Sequence, residues 1–297
     1  MIDMLGYEFI RTALLGTTAI GIVCAYLGVY VVLRRIVFVG ATMAQISSAG
    51  IALGILSGWN PNAWSVGLTF LAVLFFGHPS FGKRWPQDAT LGVLFTLSGA
   101  AAVLLVAHTA RGNEEVVHLV QGNLLAMTAA EARWLALAFA GILVAHVALF
   151  KEFLYLSFDP TMAATQGYRA GRWNLAFYVL LGVAVALAIK AIGILLMFAF
   201  LVIPASLGLV LTRRLGGVFL VAMASAAAAV YLGIGLSYRY DFPSAPMIIA
   251  VLGGILAVGA AGKALAKTAR RIVKARALRY PSADHPAGHL RGGAGPS

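Results

Sequence analysis

Apolar residues run along the chain in stretches of helix-crossing length, broken by short clusters of Arg, Lys, Asn, Pro and Gly. About 20 apolar residues suffice to cross a ~30 Å hydrocarbon core. The pattern predicts spans at about 10–33, 41–58, 62–77, 90–110, 132–150, 174–190, 193–212, 217–236 and 246–265. The run from Leu175 to Thr212 is too long for one crossing, so a turn is expected near Lys190, within "LAIKAIGILL". Eight crossings rather than nine would follow if the chain passed straight through there. Polar and apolar positions do not alternate as in a membrane β-barrel. Helices are the economical choice where no water can satisfy a backbone N–H or C=O. The fold class predicted is therefore all-α, a polytopic transmembrane helical bundle.

One apolar run breaks this pattern. "FVGATMAQISSAGIALG", residues 38–54, carries Thr42, Gln45, Ser47 and Ser48 in the middle of the second span, with Gly40, Gly50 and Gly54 spaced through it. Two readings compete for these positions. Gln45 and Ser48, three apart, share a face that suits the lining of a path. Hydroxyls and amides in membrane helices also bond between helices, and Gly50, Gly54 and Gly58 form a small-xxx-small run that favours close packing.

Composition supports the membrane assignment: 61% of residues are hydrophobic and only 11% charged, against roughly 25% charged in soluble domains. Cys24 is the single cysteine, so no intramolecular disulfide can form. "MIDMLGYEFIRTALL" carries Asp3 and Glu8 ahead of the apolar run and no basic leader region, which reads as a retained span rather than a cleaved signal. The net charge of +12 is explained by position. Seventeen of the 22 Lys and Arg fall in one set of loops and the tail, among them Arg34, Arg35, Lys83, Arg84, Lys151, Arg169, Arg172, Arg213 and Arg214; only Arg11, Arg111, Arg133, Lys190 and Arg239 fall on the other side. By the positive-inside rule the N-terminus is outside and the C-terminus inside. Residues 1–265 form the membrane domain. Residues 266–297 form a basic tail that starts as a helical continuation near anionic lipid and ends rich in Gly and Pro. No aromatic residues interleave its charges, so nucleic acid is not an expected partner.

Nothing points to an enzyme. The ten acidic residues form no pair at helical spacing within a span, and no G-x-x-x-x-G-K loop is present for ATP. The inside loop "KEFLYLSFDPTMAATQGYRAGRWN", residues 151–174, is the most informative connector. Asp159 is placed as an N-cap, Pro160 at the first helical position and Gly167 as a stop. Ala163 and Ala164 give the short helix between them a face of small residues. An ordinary connector and a docking element for a partner's groove both fit.

The order of "LSFDPTMAATQG", "LAIKAIGILLMFAFLVIPASLGLVLTRR" and "DFPSAPMIIAVLGG" resembles the membrane permeases of zinc and manganese ABC importers. "VVLRRIVFVGATMAQISSAGIALG", "NPNAW", "DATLGVLFT" and "LVQGNLLAM" fit in the same order, so the resemblance covers residues 10 to about 262. It implies a cobalamin-importer-like fold and a bacterial inner-membrane location. Two ATPase subunits would bind on the cytoplasmic side, and an extracytoplasmic binding protein would deliver the metal. The permease would pair with itself or with a second permease. No cofactor is expected on this chain; ATP would be used by the partner. The resemblance also assigns ATPase docking to the segment containing Asp159, Pro160, Ala163, Ala164 and Gly167.

The family pattern puts an Asp and, four residues on, a His at positions held here by Ala41 and Gln45. Alanine offers no donor atom, and a neutral amide oxygen is a poor zinc ligand. Met43, Gln45 and Ser48 remain the candidate path residues, with the metal ligands unassigned. His146 reads as a packing histidine near the inner end of its span, and Lys190 as an interface anchor. Pro204 is expected to kink its helix or set off a short one. Tyr238, Tyr240 and Phe242 read as an aromatic belt beside Asp241. The function expected is inward passage of a divalent transition metal ion, driven by a separate ATPase. The alternatives are an ABC permease for another ion or metal complex, and a channel or secondary transporter working alone. Against the last stands the lack of a buried carboxylate for ion coupling.

Overall fold

The computed structural model describes residues 6–78, 86–107, 122, 124–158 and 170–279, and among these every regular element is helical. In chain order they are α1 (Glu8–Leu33), α2 (Val37–Ser57), α3 (Pro61–Gly77), α4 (Gln87–Ala107), a single 3-10 turn (Leu124–Ala126), α5 (Ala129–Ala148), α6 (Phe150–Phe158), α7 (Ala170–Leu211), α8 (Leu215–Tyr240) and α9 (Ser244–Arg279). Among the described residues seven helices are long and apolar enough to cross a membrane; α3 is apolar but has only 17 residues.

Local chemistry sets several of the boundaries. The Asn60 side chain accepts from the Asn62 N–H at 2.9 Å, and Pro61 occupies the first position of α3, where a missing N–H costs nothing. Thr128 and Glu131 close a reciprocal capping box on α5, Oγ1 of Thr128 taking the Glu131 N–H at 3.2 Å. At the end of α1 the Ile36 N–H bonds to the Val31 carbonyl, and Arg35 turns through φ 58. This is a Schellman-type stop built without the usual glycine.

α7 is assigned as one helix but does not run straight. Gly193, at φ 76 and ψ 169, is far from helical geometry, a conformation open to glycine alone. Arg34 Nη1 lies 3.0 Å from Asn174 Oδ1, so the start of α7 meets the end of α1. Further along, a Cβ on Gly28 would overlap the Leu201 carbonyl. At 1.5 Å per residue a straight α7 would place Leu201 about 40 Å from Asn174, whereas Gly28 stands only about 9 Å along α1 from Arg34. The chain therefore folds back at Gly193 into two antiparallel limbs. Gly122, at φ 73, sits against the reversal so closely that a Cβ there would overlap the Ile192 backbone.

α1 is the central element, packed between α5, α7 and α8, while α2 sits between α3 and α4 and meets α7. The large buried side chains gather where α1 meets α7: Tyr30, Leu27, Phe177, Leu181 and Phe200 are all inaccessible. α2 and α3 approach through the small residues of α2. A Cβ on Gly50 would stand 2.7 Å from the Ser65 Cα, and one on Gly54 would overlap Pro61.

The turn expected near Lys190 falls at Gly193, three residues on, and joins the two limbs of α7. Elsewhere the structure differs from the sequence expectation. The stretch 151–158, read as loop, is helical as α6, with Phe153 and Leu156 buried. The last helix runs on past 265 to Arg279, a length of about 54 Å at helical rise. Pro204 lies inside the second limb of α7, and no short helix is set off there.

Adding one methyl at the α1–α7 contact tests this packing. Gly28→Ala is expected to destabilise the bundle by roughly 1–3 kcal/mol, because the obstacle is backbone and cannot rotate away. Gly67→Ala, with nothing within 4 Å of the new methyl, is the matched control. Thermal unfolding of the detergent-purified variants reads both, and equal midpoints would contradict the close approach.

Candidate functional site

The polar side chains of α2 divide among its neighbours. Thr42 Oγ1 donates to the Phe38 carbonyl at 2.8 Å and lies 3.3 Å from the Leu91 carbonyl on α4. The Ser47 and Ser65 hydroxyls share a 2.6 Å hydrogen bond between α2 and α3. Gln45 faces α4, its Oε1 lying 3.3 Å from where a Cβ on Gly99 would stand. Met43 is fully buried on another side, with its sulfur 4.0 Å from the corresponding position on Gly182 of α7. Two residues apart on a helix, Met43 and Gln45 point about 200° from each other. Ser48 is buried. The three candidate path residues therefore do not form one surface within the single chain. Packing accounts for Thr42, Ser47, Gly50 and Gly54, while Gln45 keeps its amide at the α2–α4 seam.

Ala41 is buried. Among the described residues no three His, Cys, Asp or Glu come together as a metal site. One cavity, of about 20 Å3, lies between α3 and the first limb of α7, lined by Thr69, Val73, Val179 and Gly182. It has room for about one water molecule. The Thr69 hydroxyl is buried there without a hydrogen-bond partner.

A second polar centre lies at the far end of α1, and sequence reasoning gave it no role beyond topology. Arg34 donates through Nε to Ser157 Oγ at 2.8 Å, through Nη1 to Asn174 Oδ1 at 3.0 Å and through Nη2 to the Phe153 carbonyl at 3.2 Å. Its guanidinium carbon stands 4.0 Å from the Phe177 ring centroid, a cation–π arrangement. Burial pulls the guanidinium down to about 10, which leaves it cationic at neutral pH. His146 lies beside this centre, fully buried, with Nδ1 3.2 Å from the Ile142 carbonyl and the rings of Phe153, Phe177, Tyr26 and Tyr30 around it. It is a packing histidine, as its sequence context suggested. No sequence pattern marked Arg34, because its partners lie 119 to 140 residues away.

Lys190 is exposed beside the α7 reversal. Tyr238, Tyr240 and Phe242 are exposed where α8 ends at Asp241, itself at φ 55. Asp159, Pro160, Ala163, Ala164 and Gly167 lie outside the described residues.

With this geometry in hand, three comparisons bear on the chain. The family model described as "ABC 3 transport family" matches residues 6–262. The manganese transport system membrane protein MntC of Listeria monocytogenes is 27% identical over 249 residues, covering 84% of this chain and 88% of that one. The "Probable iron transport system membrane protein" of Haemophilus influenzae is 29% identical over 253 residues, covering 84% and 92%. Among solved structures, PsaBC from Streptococcus pneumoniae in complex with Fab matches with a TM-score of 0.78 at 22% identity, over 87% of this chain and 93% of that one. That likeness is one of fold.

The α2 geometry leads to a two-residue test. Asp and His four apart share a helix face and supply a hard oxygen and a borderline nitrogen donor. Replacing Ala41→Asp and Gln45→His together is expected to create a Zn2+ or Mn2+ site, measurable by titration calorimetry of the purified protein. The unmodified chain should show none. One tightly held ion per unmodified chain would place the ligands elsewhere.

Proposed function

The chain belongs to the ABC 3 transport family, and on that footing we propose that it is the permease subunit of a bacterial inner-membrane ABC importer for a divalent transition metal ion. The observation that carries this is the extent of the family match, from the start of α1 to the middle of α9, over a bundle of apolar helices. The relatives named for manganese and iron transport supply the cargo class. ATP hydrolysis falls to separate subunits, and the ion arrives from an extracytoplasmic binding protein.

Counting α3 and both limbs of α7 gives nine crossings, with the N-terminus outside. The Arg34 end of the bundle is then cytoplasmic, in line with the concentration of Lys and Arg on that side. The segment containing Asp159 to Gly167 opens from this end, between α6 and α7, and is the ATPase-docking element. Two such permeases, two copies of this chain or this chain with a second, form the path between them. Gln45 and Ser48 of α2 are its lining candidates, while Met43, turned towards α7, is not. Alternating access then follows from ATP-driven rearrangement of the pair, and the metal passes inwards.

Transfer of a dehydrated divalent ion through a membrane needs compensation of its charge, and Ala41 and Gln45 supply none. The path in this chain holds the ion weakly, and selection rests with the binding protein. This supports a second reading of the cargo, in which the same permease passes a different, hydrated ion or a small metal complex.

Docking can be tested apart from cargo. A long charged side chain on a small-residue face should block close approach of a partner groove, so Ala163→Arg is expected to abolish co-purification of the ATPase while leaving the thermal midpoint of the permease unchanged. Undiminished co-purification would contradict docking through this segment.

A further inference from the structure

Arg34 bonds to residues on both sides of the segment assigned to docking. Phe153 and Ser157 belong to the last two turns of α6, just before it, and Asn174 to the first turns of α7, just after it. One guanidinium bonds to all three while its backbone caps α1. Ser157 also donates to the Phe153 carbonyl at 2.5 Å, so that carbonyl and hydroxyl are fixed to each other as well as to Arg34. A guanidinium suits this place because it directs several N–H donors from one rigid plane. A lysine ammonium is a single point at the end of a flexible stem and cannot reach three acceptors set around such a plane.

The contacts continue inwards through rings. Phe177, beneath the guanidinium, packs at 5.7 Å from Phe153 and 6.0 Å from Tyr30 of α1. Tyr30 packs at 5.2 Å from Phe219 of α8, and its hydroxyl lies 3.3 Å from that of Tyr26. α1 then comes close to the second limb of α7, Gly28 against the Leu201 backbone. Densely packed interiors shift between discrete arrangements rather than deform smoothly. A displacement at Arg34 is thereby passed on to helices that meet at the centre.

We propose that Arg34 is a positioning residue that makes the α6–α7 connection move as one body with α1, so that a displacement imposed by a docked ATPase reaches the bundle core. The proposal rests on the docking reading given above. It separates coupling from mere stability: loss of Arg34 should waste ATP, not only weaken the fold.

The test uses the full complex in proteoliposomes, permease with ATPase inside and binding protein outside, and reads metal ions transported per ATP hydrolysed. Arg34→Lys keeps the charge and loses the fork. The double variant Ser157→Ala with Asn174→Ala keeps Arg34 and removes two acceptors, so the question stays answerable if Arg34→Lys fails to fold. Both are expected to assemble with the ATPase and to transport about fivefold fewer ions per ATP, within the range of coupling effects measured along packed networks. An unchanged ratio in both, even with lower thermal midpoints, overturns the proposal and leaves Arg34 as a structural residue. Ala163→Arg in the same assay separates the two claims. ATPase retained on that variant overturns the docking reading and the coupling proposal with it. ATPase lost from it, with an unchanged ratio in the other two, overturns the coupling proposal alone.

Discussion

Lipid offers no hydrogen-bond partner, so a chain this apolar must satisfy its backbone within helices and then bring those helices together without help from water. Much of that task falls to the glycines. Gly28 admits the Leu201 backbone to α1, Gly50 and Gly54 admit α3 to α2, and Gly122 admits the reversal of α7. Hydroxyls supplement these contacts at few points, as between Ser47 and Ser65. Gly28 lets α1 meet the second limb of α7 closely, and the two limbs of α7 follow from the turn at Gly193. A bundle held by such contacts can shift between alternative packings of rigid helices, as alternating access requires.

Long apolar runs were legible in the sequence because span length is set by the bilayer and not by tertiary partners. The reversal of α7 was legible for the same reason: the run from Leu175 to Thr212 exceeds one crossing, and Gly193, the glycine beside the turn expected near Lys190, takes the positive φ. α6 was not legible as a helix, because its eight residues after Phe150 mix charged and aromatic side chains in a segment read as loop. Its Phe153 and Leu156 are nonetheless buried, and Leu154 packs against the core. Arg34 was read for its side of the membrane only. A hydrogen-bonding role that depends on Ser157 and Asn174 leaves no local trace in sequence. On α2 the polar residues were legible as exceptional, but the division between Thr42 and Ser47, spent on packing, and Gln45, set against α4, required the neighbouring helices.

The departures at Ala41 and Gln45 carry a physical consequence. A carboxylate and an imidazole at those positions would compensate a bare divalent ion and slow its passage. On the reading proposed above, an alanine methyl and a neutral amide give a path of low retention. In such a permease the direction of transport comes from ATP-driven rearrangement, and the choice of ion from the protein that delivers it. The Arg34 centre lies at the opposite end of α1 from the N-terminus, where the end of α6 and the start of α7 meet it.

The central claim is that this chain passes a divalent metal ion inwards only when a separate ATPase drives it. Uptake of radioactive Mn2+ into proteoliposomes that hold the permease and its ATPase, with the metal-loaded binding protein outside, measures this directly. The account predicts uptake that stops when ATP, the ATPase or the binding protein is left out. Uptake of Mn2+ by the permease alone, driven by an ion or proton gradient, would contradict it.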